Sequence, residues 1–148
     1  MIEIRKFADK DKEQYFAMSG EFYSSSAVEH KVPKKHFEVS FNLCVSKSPF
    51  IKGYMLFYNG VPCGYALFSF TYSNEAGGEV LLIEELFIKE DFRGKGMFGE
   101  LFEFIKKKYS KKVARFRLEV TGVNKNAIEI YKKYGFRELE YTQMILDT

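Results

Sequence analysis

Hydrophobic positions along the chain switch between two periods, and the switches mark out its elements. Ile2 and Ile4 alternate with charged residues toward Phe7, which predicts a strand over 2–7. Asp9 or Asp11 can cap a helix running to about Tyr23, with Tyr15, Met18 and Phe22 on one face. Ser24-Ser25-Ser26 breaks that helix, and Val28 to Pro33 reads as a loop. A second helix starts near Pro33 or Lys34, carries Phe37, Phe41 and Cys44 on one face, and ends at Ser48-Pro49. Tyr54–Tyr58 and Tyr65–Tyr72 read as strands joined through Asn59-Gly60, a dipeptide suited to the positive φ angles of a tight hairpin. Ser73–Gly78 is a polar, glycine-bearing connection.

The next stretch sets the organisation. Leu81–Ile88 is an apolar, β-prone run interrupted only by Glu84 and Glu85. Arg93-Gly94-Lys95-Gly96 follows as a turn, and Phe98, Leu101, Phe102 and Ile105 then recur at the spacing of one helix face, to about Tyr109. Ala114–Val120 predicts a fifth strand. Asn124 or Asn126 opens a fourth helix with Ala127, Ile130, Tyr131 and Tyr134 on one face, and Gly135 stops it. Phe136–Leu146 predicts one more strand. This order predicts an α+β fold on a mixed sheet, with an antiparallel hairpin and a right-handed crossover joining parallel fourth and fifth strands. No repeat, low-complexity tract or linker interrupts it, so residues 1–148 are expected to form one domain.

A strand, a glycine turn and a helix start make a phosphate site on physical grounds. The first helical N–H groups lack intrahelical partners and carry the positive end of the helix dipole. Glycines let a diphosphate approach the backbone, and Arg93 and Lys95 add positive charge. Gly94-x-Gly96-x-x-Gly99 also matches the dinucleotide pattern, with Glu119 further on as a ribose-binding acid. There, however, the first glycine follows directly on the strand, whereas Lys89 to Arg93 intervene here, and too little chain follows Glu119 for a doubly wound sheet.

The stretch instead resembles the acetyl-CoA turn of the GNAT N-acetyltransferase superfamily, whose pattern is Arg or Gln, two residues, Gly, one residue, then Gly or Ala. Arg93 and Gly96 fit; Phe98 stands where the second small residue is usual, with Gly99 one place later. Its backbone N–H can serve there with the ring turned into the core. A second motif, Asn124, Ala127, Tyr131 and Gly135-Phe136, resembles the family's N-x-x-A-x-x-x-Y-x-x-x-G-F, about 30 residues downstream. The resemblance covers the chain end to end. It implies a three-layer fold with helices on both faces of a mostly antiparallel sheet, whose fourth and fifth strands splay apart around the pantetheine arm of acetyl-CoA.

The reaction so implied is acetyl transfer to the primary amine of a small molecule, by direct attack in a ternary complex. A free alkylamine has a pKa near 10.4, so leaving it neutral at pH 7 costs about 4–5 kcal/mol. The resemblance assigns coenzyme contacts to Leu86, Phe87, Ile88, Arg93, Gly94, Lys95, Gly96, Met97, Phe98, Gly99, Asn124, Ala127 and Tyr131, with backbone donors near Phe87–Ile88 for the oxyanion. Tyr131 takes the position of the acid that protonates the departing thiolate. Read from its residues alone, it is a core tyrosine on an amphipathic face. Glu84 and Glu85, adjacent on a strand, are expected to point to opposite faces. The resemblance favours Glu84 as the base, directly or through water, against a carboxylate merely bonded at a sheet edge. Asn124 is expected to touch the coenzyme or hold the splay, or else simply to cap its helix. Tyr23, Tyr72, Glu75 and Glu84 are the candidate acceptor contacts, since aromatic walls with an acidic group suit a cationic amine.

Composition narrows the alternatives. The chain of 148 residues is 46% hydrophobic, so disorder is not expected, and 16 Phe with 10 Tyr must fill its interior. A net charge of +3 is too small to imply nucleic acid. Lys106-Lys107-Lys108 with Lys111-Lys112 reads as a solvated helix end favoured by the dipole, or else a contact for the coenzyme's 3′-phosphate. Cys44 and Cys63 lack metal spacing and are expected as buried or half-buried thiols; His30 and His36 have no motif around them, and no metal is expected. No apolar run reaches the roughly 20 residues of a membrane span, and the start lacks a signal peptide's apolar core, so a cytoplasmic protein is expected. Pairing through the sheet into a homodimer stays open. Competing functions are a protein lysine or N-terminal acetyltransferase and a non-catalytic acyl-CoA-binding sensor.

Overall fold

The computed structural model describes residues 2–25 and 31–148. Ile2–Lys6 forms β1, and a 3-10 turn at Asp9–Asp11 leads into α1 (Lys12–Tyr23) and α2 (Lys34–Val45). β2 (Ile51–Tyr58), β3 (Val61–Ser73) and β4 (Gly78–Ile88) come next, then a 3-10 turn at Glu90–Phe92 and α3 (Met97–Tyr109). β5 (Arg115–Leu118) and α4 (Lys125–Lys133) complete the regular elements. The strands lie in chain order in one sheet, β1 to β4 antiparallel and β5 parallel to β4. This is the expected α+β architecture.

Two apolar clusters occupy opposite faces of that sheet. Tyr15 and Met18 of α1 and Phe37 and Phe41 of α2 close over Met55, Tyr65, Leu67 and Phe87. Leu101, Ile105 and Tyr109 of α3 close over Tyr54, Leu56, Phe68, Leu81 and Ile83. The alternation of β2, β3 and β4 feeds the two layers in turn, because successive strand side chains leave the sheet on opposite sides. α4 packs on α3 through rings: Phe98 and Phe102 meet Tyr134 at 5.2 and 5.9 Å.

The junction of β1 and α1 departs from the expected cap. Asp11 makes no side-chain bond to α1; its carboxylate accepts the Ala8 N–H at 2.8 Å and the Arg5 guanidinium at 2.7 and 2.9 Å. Burial opposes its ionisation, yet the Arg5 fork and the Ala8 N–H hold it below the ordinary carboxylate range.

Several strand expectations change. β2 begins at Ile51 and β3 at Val61, earlier than the apolar pattern shows, because Gly53, Pro62 and Gly64 read as breakers. Gly53 instead makes room for the Phe7 ring, and a Cβ at Gly64 would collide with the Phe87 carbonyl. β5 stops at Leu118, short of Val120. The strand expected over Phe136–Leu146 is absent. That segment passes the outer edge of β5 without a ladder and leaves a cleft of about 610 Å³ between them. A strand needs a covered face as well as a partner; Met144, Ile145 and Leu146 are 82–90% exposed, and the Tyr141 hydroxyl bonds Glu75 at 2.7 Å instead.

Candidate active site

β4 runs on after β5 has left it. The parallel ladder spans Val80↔Arg115 to Ile83↔Leu118, whereas β4 stays paired with β3 as far as Ile88. Glu84–Ile88 therefore has a sheet neighbour on one side only. The expected splay beside Leu86, Phe87 and Ile88 is there, beginning beyond the Ile83↔Leu118 pair.

β4 also carries a bulge that sequence reasoning did not foresee. Leu67 pairs with Glu85 but Phe68 pairs with Ile83, so Glu84 is the extra residue. The bulge resets the alternation. Leu81 and Ile83 face α3, as do Leu86 and Ile88, while Phe87 joins the α1–α2 layer. The expectation that Glu84 and Glu85 point to opposite faces is thereby corrected. Glu85 accepts from the Tyr65 hydroxyl at 2.7 Å and from Tyr23. Glu84 accepts from Ser69 at 2.6 Å, and Ser69 shares the face of Leu67. Both carboxylates thus lie on the α1–α2 side.

Their environments differ. Glu84 is exposed. Burial pushes the Glu85 carboxyl above its ordinary range, against the pull of the Tyr23 and Tyr65 hydroxyls. Burial and the Glu85 charge in turn raise both tyrosines, which hold their protons as donors. Tyr23 stacks on Phe37 at 5.2 Å and meets Phe22 edge-on at 4.9 Å. Glu85 thus sits under an aromatic layer, while Glu84 beside it faces solvent. Phe37 was visible only as a helix-face residue, and nothing local in a sequence announces a bulge.

At the other end of the splay, the chain turns into α3. Gly94 and Gly96 have φ of 73° and 74°, the region only glycine adopts without strain, and a Cβ on either would meet no atom within 4 Å. Their open faces form a backbone cradle at the start of α3, where the first intrahelical bond is Glu100 N–H to the Gly96 carbonyl at 3.2 Å. The residues present fit a diphosphate. Arg93 donates through Nε to the Ile88 carbonyl at 2.9 Å, tying the turn to the strand end. The Lys95 ammonium lies over Tyr58 and Phe92 at 5.2 and 5.3 Å, so it braces the turn against β2. Met97 is buried beneath α3. Phe98 turns its ring toward α4, and Gly99 leaves space for the Tyr134 hydroxyl, which a Cβ would overlap.

α4 starts as expected: the Asn124 side chain accepts the Ala127 N–H at 3.3 Å. Tyr131 meets Phe98 edge-to-face at 4.9 Å and lines the cleft beside β5 with Leu118 and Val120. Burial holds its phenol proton more tightly than usual.

Some candidates stand apart. Tyr72 is 72% exposed and Glu75 pairs with Arg115 at 3.6 Å, both at the β3–β4 hairpin end. Tyr72 pairs with Glu79, about 20 Å along β4 from Glu85. The structure does not bring them to the carboxylates. Lys106–Lys108 lie at the C-terminal end of α3, about 15 Å from the glycine cradle. His36 is exposed, and His30 lies outside the described residues. Cys63 is buried and Cys44 half-buried, its thiol pushed up to about 12 by burial. Among the described residues, no cluster of His, Cys, Asp or Glu suits a metal, and no helix is long and apolar enough to cross a membrane.

Comparison with known proteins agrees with this geometry. The model of the acetyltransferase (GNAT) family matches residues 13–136. A thialysine N-epsilon-acetyltransferase of Sus scrofa is 34% identical over 77 residues, covering 51% of this chain and 45% of that one. An uncharacterised N-acetyltransferase of Methanocaldococcus jannaschii is 42% identical over 85 residues, covering 55% of this chain and 37% of that one. The chain therefore aligns with less than half the length of these curated relatives. Among solved structures, a possible acetyltransferase from Clostridium difficile 630 superposes with a TM-score of 0.84 at 19% identity, covering 100% of this chain and 98% of that one. An aminoglycoside N-acetyltransferase in complex with CoA gives 0.80 at 16% identity, covering 99% and 95%, a likeness of fold. With the splayed strands and the glycine cradle, the family match across most of its length shows that the chain belongs to the GNAT acetyltransferase family.

Proposed function

We propose that this protein transfers an acetyl group from acetyl-CoA to the primary amine of a small molecule. The observation that carries the reading is the free side of β4 at Glu84–Ile88, which opens between a glycine cradle and two carboxylates. The backbone of 94–99 holds the diphosphate, Leu86–Ile88 and the Asn124–Ala127 helix start flank the arm, and the thioester reaches the bulge. Bound there, acetyl-CoA supplies the activated acyl group. The amine enters from the α1–α2 side, between Tyr23 and the carboxylates. Its nitrogen forms a bond to the acetyl carbon as the carbon–sulfur bond breaks. Glu84, exposed at the bulge, takes the amine proton, and Glu85 holds the cation in place before attack. The Phe87–Ile88 backbone stabilises charge on the carbonyl oxygen, and Tyr131 gives its proton to the sulfur. A buried phenol suits that last step, because it stays protonated well above neutral pH.

The activities of the related proteins, on thialysine and aminoglycosides, guide the acceptor panel: diamines, amino acids with side-chain amines, and aminosugars. Thiol release from acetyl-CoA, followed with each amine, tests the reading. Amine-dependent release is expected, with turnover falling at least tenfold in Tyr131→Phe while acetyl-CoA still binds. Binding of acetyl-CoA without release on any amine overturns it in favour of a sensor, and release with peptide amines alone moves the acceptor to proteins.

A further inference from the structure

We infer that Phe98 is a positioning residue that sets the Tyr131 phenol for the transfer step; this rests on the role proposed for Tyr131. Phe98 is the second residue of α3, so its backbone adjoins the glycine cradle while its ring packs against α4. The ring lies in a stack of aromatic contacts. Phe102 is parallel beneath it at 5.7 Å and 8°, and Tyr131 stands edge-to-face on it at 4.9 Å and 65°. Tyr134 closes at 5.2 Å and Phe136 at 6.5 Å. Such perpendicular pairs fix orientation as well as distance, because the ring edge seeks the face of its neighbour.

Tyr131 has few other restraints. Among the described residues its hydroxyl makes no hydrogen bond, and its remaining ring contact is Phe136 at 6.1 Å, on the segment just after α4. α4 itself is short and has no fully buried residue. Phe98 is thus the α3 ring that meets Tyr131 directly; Phe136 reaches α3 through Phe102 at 5.1 Å. Gly99 permits the arrangement: a Cβ there would overlap the Tyr134 hydroxyl and force that ring to move. One residue thus offers its N–H to the diphosphate and its ring to the tyrosine, so seating of the coenzyme and placement of the proton donor share a single anchor.

Steady-state kinetics of Phe98→Leu, Phe98→Tyr, Tyr131→Phe and the Phe98→Leu/Tyr131→Phe pair test this. Phe98→Leu should lower kcat about tenfold with KM for acetyl-CoA within about twofold, since a misplaced group loses rate rather than binding. Phe98→Tyr, which keeps the ring, should restore most of the rate. In the Tyr131→Phe background the Phe98→Leu loss should vanish, because the residue acts through that phenol. If Phe98→Leu does not fold, Phe98→Met takes its place. Unchanged kcat, a loss confined to KM, or losses that simply add in the pair overturn the inference while leaving the acid role of Tyr131 standing. Unchanged kcat in Tyr131→Phe alone removes both.

Discussion

Glu84 and Glu85 are neighbours in the chain and opposites in setting. Glu85 has one oxygen bonded by Tyr23 and the other by Tyr65 at 2.7 Å, under the aromatic layer of α1 and α2. Glu84 faces solvent beside Ser69. Glu84→Gln should therefore lower kcat, by about 100-fold or more for loss of a general base. Glu85→Gln should mainly raise KM for the amine, by about tenfold for a lost charged contact. Initial rates over pH 5–9 check both, and the reverse pattern exchanges their roles. Because burial raises the Glu85 pKa, its charge is lost as pH falls through a value above the ordinary carboxylate range, so KM for the amine should already climb there. The same shift has a stability sign. A carboxyl whose folded pKa is raised favours the fold at low pH and loses that contribution as pH rises through the folded value. Glu85→Gln should flatten urea stability against pH across that interval.

At the scale of elements, close backbone approach decides more than propensity does. Gly64 sits opposite Ile88, at the point where β3 supports the free end of β4, and a Cβ there meets the Phe87 carbonyl, backbone that cannot swing aside. Gly64→Ala should cost about 1–3 kcal/mol, read as a lower urea midpoint, and should disturb the Phe87–Ile88 backbone proposed to donate to the carbonyl oxygen. Elements with one strong period were legible in advance. The α3 face Leu101, Phe102 and Ile105 is buried as its spacing demands, and Asn59-Gly60 makes the hairpin with φ of 50° and 79°. The bulge was not legible, because it depends on which β3 residue opposes Glu84. Nor was the course of Phe136–Leu146, whose alternation describes a strand only if some layer covers it.

For the molecule as a whole, the family was readable because its two glycine-bearing motifs follow one another at the right separation, and backbone chemistry dictates both. The surroundings of Glu85 were harder, since they are assembled from α1, α2, β3 and β4, and most contributors look like ordinary core. Coenzyme should couple these parts thermodynamically. A ligand held by the native cradle and absent from the unfolded chain stabilises by about 2.7 kcal/mol at 100 times its Kd. Acetyl-CoA should therefore raise the melting temperature, and Gly96→Val, with its forbidden left-handed backbone, should abolish the rise. A rise that survives in Gly96→Val would move the diphosphate elsewhere.

The extra residue at Glu84 can be removed without turning the strand over. Excising it would make Ile83 and Glu85 successive partners of Phe68 and Leu67, and the ladder would close into strict alternation. Leu86, Phe87 and Ile88 would keep their layers, because the bulge has already set Glu85 on the α1–α2 side. What would be lost is one of two adjacent carboxylates on that side. A single-codon deletion here should therefore leave the fold standing while it takes the acidic pair apart.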